Sequence, residues 1–305
     1  MPNSTLDKNV LNTVIGYQEA VKVKQELEKT GSDFTDQKWA TANTIAKLHP
    51  KRLTLEVSEI IEDTATTKTF RLVSTGGQLP PFQAGQYINL FVTIDGVETA
   101  RPYAISSSPS QRDYYDLTVK RVEDGFVTPY LLDRVEAGQQ LLSTGPMGTF
   151  YHNPIFHGKE LVFLAGGSGI APAMSMLKDV LDRDLPYQFH FIYASSYIDD
   201  VIFIDELRTL AQQHKNFKLT EVISRPPENY QGLTGHLNAE LIQSLVGDVK
   251  QKMFYVCGPT TFHDFCQSQL LSLGVPPRRV RIEANGPPKH PDQLADWPRA
   301  VSMDD

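Results

Sequence analysis

The spacing of hydrophobic residues divides the chain into three kinds of segment. Up to about residue 50, apolar positions such as Val14 and Val21 recur at roughly helical spacing, which predicts a helical extension. From Lys51 the period changes to two, and short strands separated by turns rich in Gly and Pro follow one another. This alternation predicts an antiparallel β-barrel, interrupted by one short helical segment near residues 126–138.

After Gly158 the pattern changes again. Continuous apolar runs such as ELVFLAG and KMFYVCG fit strands that are buried on both faces, and helical stretches lie between them. Alternating strands and helices predict an α/β doubly wound domain with a parallel sheet and right-handed crossovers. The C-terminal stretch is rich in proline and acidic at its end, so we interpret it as a tail or linker. The predicted organisation is a helical extension (1–50), a β-barrel (51–157), an α/β domain (158–286) and a tail (287–305).

Composition limits the classes of function. The formal net charge of -7 over 305 residues argues against binding nucleic acid or anionic membranes through bulk charge, although a local basic patch stays open. No apolar stretch approaches the length of a membrane span, and the N-terminus lacks a secretion signal, so we expect a cytoplasmic protein. Cys257 and Cys266 are too few for an iron–sulfur cluster. Metal-ligand spacing is also missing, so His152, His157 and His214 are interpreted as ordinary loop or surface residues.

The strongest single motif lies in LVFLAGGSGIAPAMSMLKDVL, where a buried strand leads directly into a glycine turn. Glycines let backbone N–H groups approach a phosphate, and a helix that opens near the proline adds its positive N-terminal end. For this motif alone, a tight turn that binds nothing is an equal alternative. The candidate nucleotide-binding residues are Gly166, Gly167, Ser168, Gly169 and Pro172.

A second strand, in YVCGPTTF, also ends in a sharp turn before a helix. Ligands of a doubly wound sheet bind at the carboxyl ends of the strands, so we expect both turns to face one crevice. Taken alone, Cys257 and Cys266 are explained as small buried hydrophobic residues. Beside the glycine turn, Cys257, Gly258 and Pro259 become candidate nucleotide contacts.

The barrel segment contains a different candidate site in RPYAISSSP. Arg101 can pair with a phosphate through its planar guanidinium, and Tyr103 lies on the same face of a strand. A phosphate anchor beside an aromatic ring is what a flavin nucleotide requires, whereas the alternative is a surface Arg–carboxylate pair and a packed Tyr. DGFVTPYLL favours the flavin, because Gly125 and Thr128 open a short helix whose N–H groups and hydroxyl can bind the same pyrophosphate.

Taken in order, R-x-Y, G-x-x-[ST], GGxGxxP and CGP resemble the motifs of the ferredoxin–NADP reductase superfamily, especially the reductase components of oxygenases, over about residues 51–286. The resemblance implies FAD and NAD(P)H as cofactors, with hydride passing from nicotinamide C4 to flavin N5. It places the nucleotide pyrophosphate at the glycine turn and the nicotinamide beside Cys257. The FAD contacts that it implies are Arg101, Tyr103, Val119, Lys120, Gly125, Val127 and Thr128.

The chain departs from these relatives at three points. Many relatives have Ser or Thr after the Tyr, where its hydroxyl contacts flavin N5, but Ala104 stands here, so its backbone N–H or Ser106 would have to serve. Several relatives carry an aromatic residue near the end of the last strand, where this chain has Glu283, Ala284 and Asn285. Many oxygenase-type relatives also carry a ferredoxin module, which the two cysteines exclude from these residues.

We therefore predict an FAD-dependent NAD(P)H oxidoreductase that delivers electrons to a one-electron acceptor such as a [2Fe–2S] ferredoxin, either a separate chain or a removed module. Cys257, Glu283 and Ser106 are the predicted polar residues of the transfer site. The alternative is a non-enzymatic flavin- or nucleotide-binding subunit that regulates a larger complex or conducts electrons within it. Two nucleotide sites favour the enzyme, because a subunit that only held FAD would not need the second.

The nucleotide preference stays open. IYASSYIDD lacks an Arg just after its strand, and such an Arg commonly binds the 2′-phosphate of NADP. ISRPPE, in contrast, places Ser224 and Arg225 after the next strand, where plant-type relatives use a Ser–Arg pair for that phosphate. The two observations point to different nucleotides.

Overall fold

A computed structural model describes residues 17–29, 43–46, 48 and 50–285. The contacts divide the chain into two units, Met1–His49 and Pro50–Asp305. In the first unit, helix α1 spans Tyr17–Lys29, which confirms the predicted helix over these residues. The beginning of that helix, most of the second predicted helix and the Pro-rich tail lie outside the described residues. The predicted domain boundaries stay predictions.

The first half of the second unit is an antiparallel sheet, as the period of two predicts. In β3, residues Ile88, Leu90, Val92 and Ile94 are buried, and the residues between them are half-buried or exposed. The strands run in the order β4-β3-β6-β1-β2-β5. Their bounds, with those of helix α2, are β1 Leu53–Thr64, β2 Thr67–Ser74, β3 Tyr87–Ile94, β4 Val97–Ala104, β5 Tyr114–Lys120, α2 Thr128–Arg134 and β6 Gln140–Ser143.

The two edge strands of this sheet approach each other. Ile105, immediately after β4, forms an isolated bridge with Leu117 of β5, so the sheet curls toward a closed barrel. A single apolar core fills the inside of the curl. The predicted antiparallel barrel is confirmed.

The second half is a parallel sheet with helices on both faces, as predicted. Its strand order is β10-β9-β8-β7-β11-β12, and separate apolar cores cover the two faces. The two-residue strand β10 is too short for a hydrophobic pattern to predict. The bounds are β7 Glu160–Gly166, α3 Ile170–Asp182, β8 Gln188–Ser195, α4 Ile204–Gln213, β9 Phe217–Ile223, β10 Leu233–Thr234, α5 Ala239–Val246, β11 Met253–Pro259, α6 Thr260–Ser272 and β12 Val280–Asn285.

The strand order reverses between β7 and β11. From β7 the chain adds β8 and β9 on one side, and then it returns to add β11 on the other side. Ligands of doubly wound sheets bind at the carboxyl ends of the strands at such a reversal. Both predicted nucleotide turns lie at the carboxyl ends of these two strands.

Two histidines lie in the loop between the sheets. The Nδ1 atoms of His152 and His157 lie 2.9 and 2.8 Å from the Tyr255 hydroxyl. His157 is buried, and both histidines lie in a loop, as expected. Burial lowers the pKa of His152 to about 4, so its ring is neutral at neutral pH and acts as a structural hydrogen-bonding group.

Neither a membrane span nor a metal site is found in the part of the chain that the structure describes. Over these residues, no helix has the length and apolar character needed to cross a bilayer. The same residues contain no group of three or more His, Cys, Asp or Glu side chains arranged to hold a metal ion.

Candidate functional site

The two predicted nucleotide turns are in direct contact. Gly169 lies just after β7, and a Cβ atom placed on it would be 2.1 Å from the carbonyl oxygen of Cys257. A Cβ atom on Gly258 would lie 3.2 Å from the Cα atom of Gly166. Only glycine permits the first approach, because no real Cβ contact is so short. The two turns therefore form one continuous backbone surface at the carboxyl edge of the sheet.

A tyrosine that the sequence pattern did not single out holds the glycine turn. The Tyr193 hydroxyl donates to the carbonyl oxygen of Gly167 at 3.0 Å and accepts from the N–H of Ile202 at 3.1 Å. Burial raises the pKa of Tyr193, so the hydroxyl keeps its proton. The residue lies inside the apolar run of β8, where hydrophobic periodicity gives no signal for a polar role.

The start of α3 is open to an anion. No side chain caps its N-terminus, and Pro172 in the first turn has no N–H to satisfy. Gly167, at φ 54°, has no atom within 4 Å of the position of a Cβ. The pyrophosphate of a nucleotide fits this place, because it can accept hydrogen bonds from backbone N–H groups and is attracted by the positive N-terminal end of α3. The space beside Gly167 leaves room for it.

Cys257 and Glu283 are neighbours on adjacent strands, as the predicted transfer site requires. They are paired in the register of β11 and β12. Burial raises the pKa of the Cys257 thiol, and the Glu283 carboxyl acts in the same direction. Burial also raises the pKa of the Glu283 carboxyl. A thiol with a raised pKa is a poor nucleophile, so the structure favours packing and polar contact over covalent chemistry for Cys257.

Arg101 and Tyr103 lie on β4, with the geometry that the R-x-Y motif predicts. Arg101 is exposed, and its Nη1 atom donates to Thr99 Oγ1 at 2.9 Å and to the Ala100 carbonyl at 2.8 Å. Among the described residues, no carboxylate forms an ion pair with Arg101. Tyr103 is half-buried against the barrel core. The Arg–carboxylate surface pair of the alternative interpretation is therefore not found among the described residues. The guanidinium N–H groups of Arg101 that have no partner there could bind a phosphate.

The DGFVT turn has the predicted shape. Gly125 donates its N–H to the Val122 carbonyl at 3.0 Å, and a Cβ atom on Gly125 would lie 2.9 Å from that oxygen. The Thr128 hydroxyl oxygen accepts the N–H of Val122 at 2.9 Å, so it closes the turn and keeps its own O–H for donation. No side chain caps α2 at Val127. These groups fit one end of a diphosphate.

Three predicted FAD contacts have side chains that point elsewhere. The Ser106 hydroxyl is buried, 3.1 Å from the Asp116 carbonyl oxygen and 2.9 Å from Thr118 Oγ1. Val119 belongs to the barrel core. Lys120 forms an ion pair with Asp200, in the turn after β8. A contact of Ser106 or Val119 with FAD would have to use backbone atoms. Lys120 would have to leave Asp200 before it could bind a phosphate of FAD.

The remaining predicted FAD-side residues are at strand ends. Ala104 is the last residue of β4 and pairs with Tyr87 of β3. Ala284 and Asn285 end β12, in register with Gly258 and Pro259 of the nucleotide turn. The last strand therefore ends at the same edge as that turn, as the resemblance implies.

Ser224 and Arg225 follow β9, beside the end of β8. The N–H groups of Ser224 and Arg225 donate to the carbonyls of Ser195 and Ser196 at 3.0 and 2.9 Å. The exposed guanidinium of Arg225 donates to the Tyr197 hydroxyl at 3.0 Å. Tyr197 was missed by the sequence analysis, although it lies in the segment that lacks an Arg. This arrangement offers an aromatic ring and a cation at the same edge as the glycine turn.

The chain matches two families of oxidoreductase domains. Residues 52–152 match the Oxidoreductase FAD-binding domain, and residues 163–268 match the Oxidoreductase NAD-binding domain. The first match covers the antiparallel sheet with β4 and the DGFVT turn. The second covers most of the parallel sheet with both nucleotide turns and ends before β12.

Whole-chain similarity points to the same group of proteins. The chain is 31% identical over 256 residues to the glycine betaine monooxygenase reductase subunit of Pseudomonas aeruginosa, covering 83% of this chain and 67% of that protein. It is 32% identical over 209 residues to the ferredoxin–NADP reductase B of Sorangium cellulosum, covering 66% of this chain and 84% of that protein. The FAD/NAD-binding domain of a nitric oxide dioxygenase from Vibrio cholerae superposes with a TM-score of 0.70 at 26% identity, covering 77% and 99% of the two chains.

An antiparallel barrel that matches an FAD-binding domain, joined to a doubly wound sheet that matches an NAD-binding domain, defines a two-domain flavoprotein oxidoreductase. With the domain matches and relatives above, the chain belongs to the ferredoxin–NADP reductase superfamily. Its cofactors are FAD and NAD(P)H, and it is an NAD(P)H-dependent flavoprotein reductase. When bound, FAD would supply hydride-transfer chemistry toward the pyridine nucleotide.

A chain of hydroxyl groups leads from Ser106 to a half-buried acid. Thr118 Oγ1 lies 2.8 Å from Thr69 Oγ1, which donates to the Asp63 carboxylate at 2.7 Å. Burial raises the pKa of Asp63 to about 6, the nearby Glu206 and Asp116 carboxylates add to the rise, and Thr69 and Lys178 oppose it. The folded protein therefore binds the Asp63 proton more tightly than the unfolded chain does.

We predict that Arg101→Ala lowers FAD affinity by roughly tenfold to a hundredfold, the range that corresponds to losing about 1.5–3 kcal/mol of charged hydrogen bonding. Because Arg101 is exposed, the melting temperature without added FAD should change little. The flavin-to-protein absorbance ratio and an FAD titration measure the effect. Arg134→Ala is the matched control, since Arg134 is also an exposed arginine, at the C-terminal end of α2, and pairs with Asp95 at 3.6 Å. Equal FAD affinity in both variants would remove Arg101 from the site.

We predict a pH-dependent stability change for Asp63→Asn. The raised pKa means that Asp63 contributes stability at low pH and that this contribution is lost as pH rises from about 4 to about 6. The melting temperature of Asp63→Asn relative to wild type should therefore increase from about pH 4 to about pH 7. Asp133→Asn is the control, because Arg121 lowers the pKa of Asp133 and its difference from wild type should therefore not increase between pH 4 and pH 7. A difference that does not vary with pH would contradict the assignment.

Proposed function

We propose that the chain is the reductase component of an electron-transfer system, which passes electrons from NAD(P)H through FAD to a [2Fe–2S] protein. The observation that carries this proposal is the contact of Gly169 with the Cys257 carbonyl, because it completes a pyridine nucleotide site in the same unit as the flavin strand. A non-enzymatic subunit that only binds FAD would not need this pyridine nucleotide site. The Pseudomonas relative, named as a monooxygenase reductase subunit, supports an oxygenase system as the destination.

The cysteines support an acceptor outside these residues. The sequence contains two, and both are buried, Cys257 in the nucleotide turn and Cys266 in α6. A [2Fe–2S] cluster of the ferredoxin type needs four cysteine thiolates. The one-electron carrier is therefore a separate protein or a segment outside the 305 residues.

Residues of the antiparallel half bind FAD, and residues of the parallel half bind the pyridine nucleotide. Arg101 and the Gly125 turn bind the FAD diphosphate, and Tyr103 orients the flavin ring by stacking. The two nucleotide turns bind the pyridine nucleotide through backbone N–H groups and bring its ring to Cys257.

We predict that the FAD-loaded protein reduces ferricyanide rapidly with NAD(P)H but reduces cytochrome c slowly. Addition of a [2Fe–2S] ferredoxin should raise the cytochrome c rate by about tenfold or more, because the ferredoxin supplies the missing one-electron carrier. Stopped-flow absorbance at the cytochrome bands measures the rate. The same ferredoxin without its cluster is the control. Fast cytochrome c reduction without ferredoxin, and no gain on adding it, would contradict the proposed acceptor.

We also propose that NADPH is preferred to NADH. Arg225 carries the proposal, because its guanidinium is held by a neutral hydroxyl and no carboxylate pairs with it in the described part of the chain. A cation of this kind can bind the 2′-phosphate, which only NADPH carries.

For Arg225→Ala, we predict that kcat/KM for NADPH falls about tenfold to a hundredfold, whereas kcat/KM for NADH changes little. Tyr197→Phe is the companion variant, because it keeps the ring and removes the hydroxyl that positions Arg225. It should lower the NADPH value by a smaller factor. An unchanged ratio of the two kcat/KM values in Arg225→Ala would remove this residue from the phosphate site.

A further inference from the structure

Helix α3 joins the nucleotide site to the loop that follows the flavin strand. The Ser175 hydroxyl, which is fully buried, donates to the carbonyl oxygen of Ser107 at 2.7 Å. Serine in a helix usually donates to the carbonyl four residues earlier or to water. Here the hydroxyl crosses from the parallel-sheet half to the antiparallel half.

The receiving carbonyl is itself held firmly. Ser107 Oγ accepts the N–H of Asp116 at 3.2 Å, and the N–H of Ser106 donates to the Asp116 carbonyl at 2.8 Å. These bonds attach the loop to β5, directly after the strand that carries Arg101 and Tyr103. Ser175 of α3 is thus bonded to the loop that links β4 to β5.

A second hydrogen bond joins the same loop to the end of α3. The Ser110 hydroxyl donates to the Asp182 carboxylate at 2.8 Å. Ser175 and Asp182 are seven residues apart, which places them on the same helix face and about 10.5 Å apart along the axis. The loop is thus attached to α3 at two points, and α3 begins one residue after Gly169.

We propose that Ser175 and Asp182 are positioning residues, which set the distance between the bound pyridine nucleotide and the flavin through their bonds to Ser107 and Ser110. The proposal rests on the same nucleotide-to-flavin transfer as the proposed function, but not on the identity of the acceptor. A misplacement of about 1 Å between reacting groups can slow a reaction by about a hundredfold. Neither side chain needs to touch a cofactor to have this effect.

The experiment measures the rate of flavin reduction over a range of NAD(P)H concentrations up to saturation in FAD-loaded wild type, Ser175→Ala and Ser143→Ala, together with amide hydrogen exchange of residues 105–110. Ser143 is the matched control, because its buried hydroxyl donates to the Thr144 carbonyl at 3.0 Å within the barrel. For Ser175→Ala we expect reduction to slow by about tenfold or more, with KM nearly unchanged, and exchange of the loop to increase.

The proposal is overturned if Ser175→Ala slows reduction no more than Ser143→Ala does, or if the exchange of the loop is unchanged. Should Ser175→Ala fail to fold, Asp182→Ala decides, because Asp182 and Ser110 are exposed and their loss leaves the core intact. Slower reduction in Asp182→Ala supports the proposal, and a wild-type rate contradicts it. Absence of flavin reduction in the wild type would instead contradict the proposed function itself.

Discussion

The close contact between the two strand-end turns is the constraint on which the rest of the site depends. Gly169 lies against the Cys257–Gly258 peptide at a distance that excludes any side chain. This contact requires β7 and β11 to be neighbours and to end at the same level. The register meets the requirement, since Cys257 pairs with Ala165 one residue before the end of β7. Strand pairing therefore determines the shape of the nucleotide site before any side chain contributes to it.

The serines after Tyr103 form hydrogen bonds within the protein that stabilise the loop after β4. The chain leaves β4 through a buried loop, where backbone N–H and C=O groups have few strand partners. Ser107 Oγ accepts the N–H of Asp116 at 3.2 Å, and Ser108 Oγ accepts the N–H of Ser110 at 3.2 Å. A run of small hydroxyl residues satisfies such groups without filling space. The anion-binding interpretation of RPYAISSSP stays a prediction for its arginine, whereas the serines connect the loop to its surroundings.

Much of the fold and the backbone part of the site could be predicted from the sequence, because both follow from local constraints. Burial of one sheet face imposes a period of two, and close backbone approach demands glycine at a fixed position after a strand. Side-chain partners across the two halves were not predictable in this way. Lys120 has the same local sequence whether it binds a phosphate or Asp200, which is 80 residues further along the chain. The sequence around Tyr193 likewise contains no feature that distinguishes this residue from an apolar strand residue.

The partners of the cations distinguish the predicted phosphate contacts from one another. Lys120 already has a carboxylate partner, so a phosphate would have to displace Asp200. Arg101 is held by a hydroxyl and a carbonyl, and Arg225 by a phenol, so in the described residues their positive charge is not neutralised by a carboxylate. In a chain with a net charge of -7, such cations are a strong local attraction for a dianionic diphosphate or phosphate. Charge pairing therefore favours Arg101 and Arg225 over Lys120 as the residues that bind the anionic groups of the cofactors.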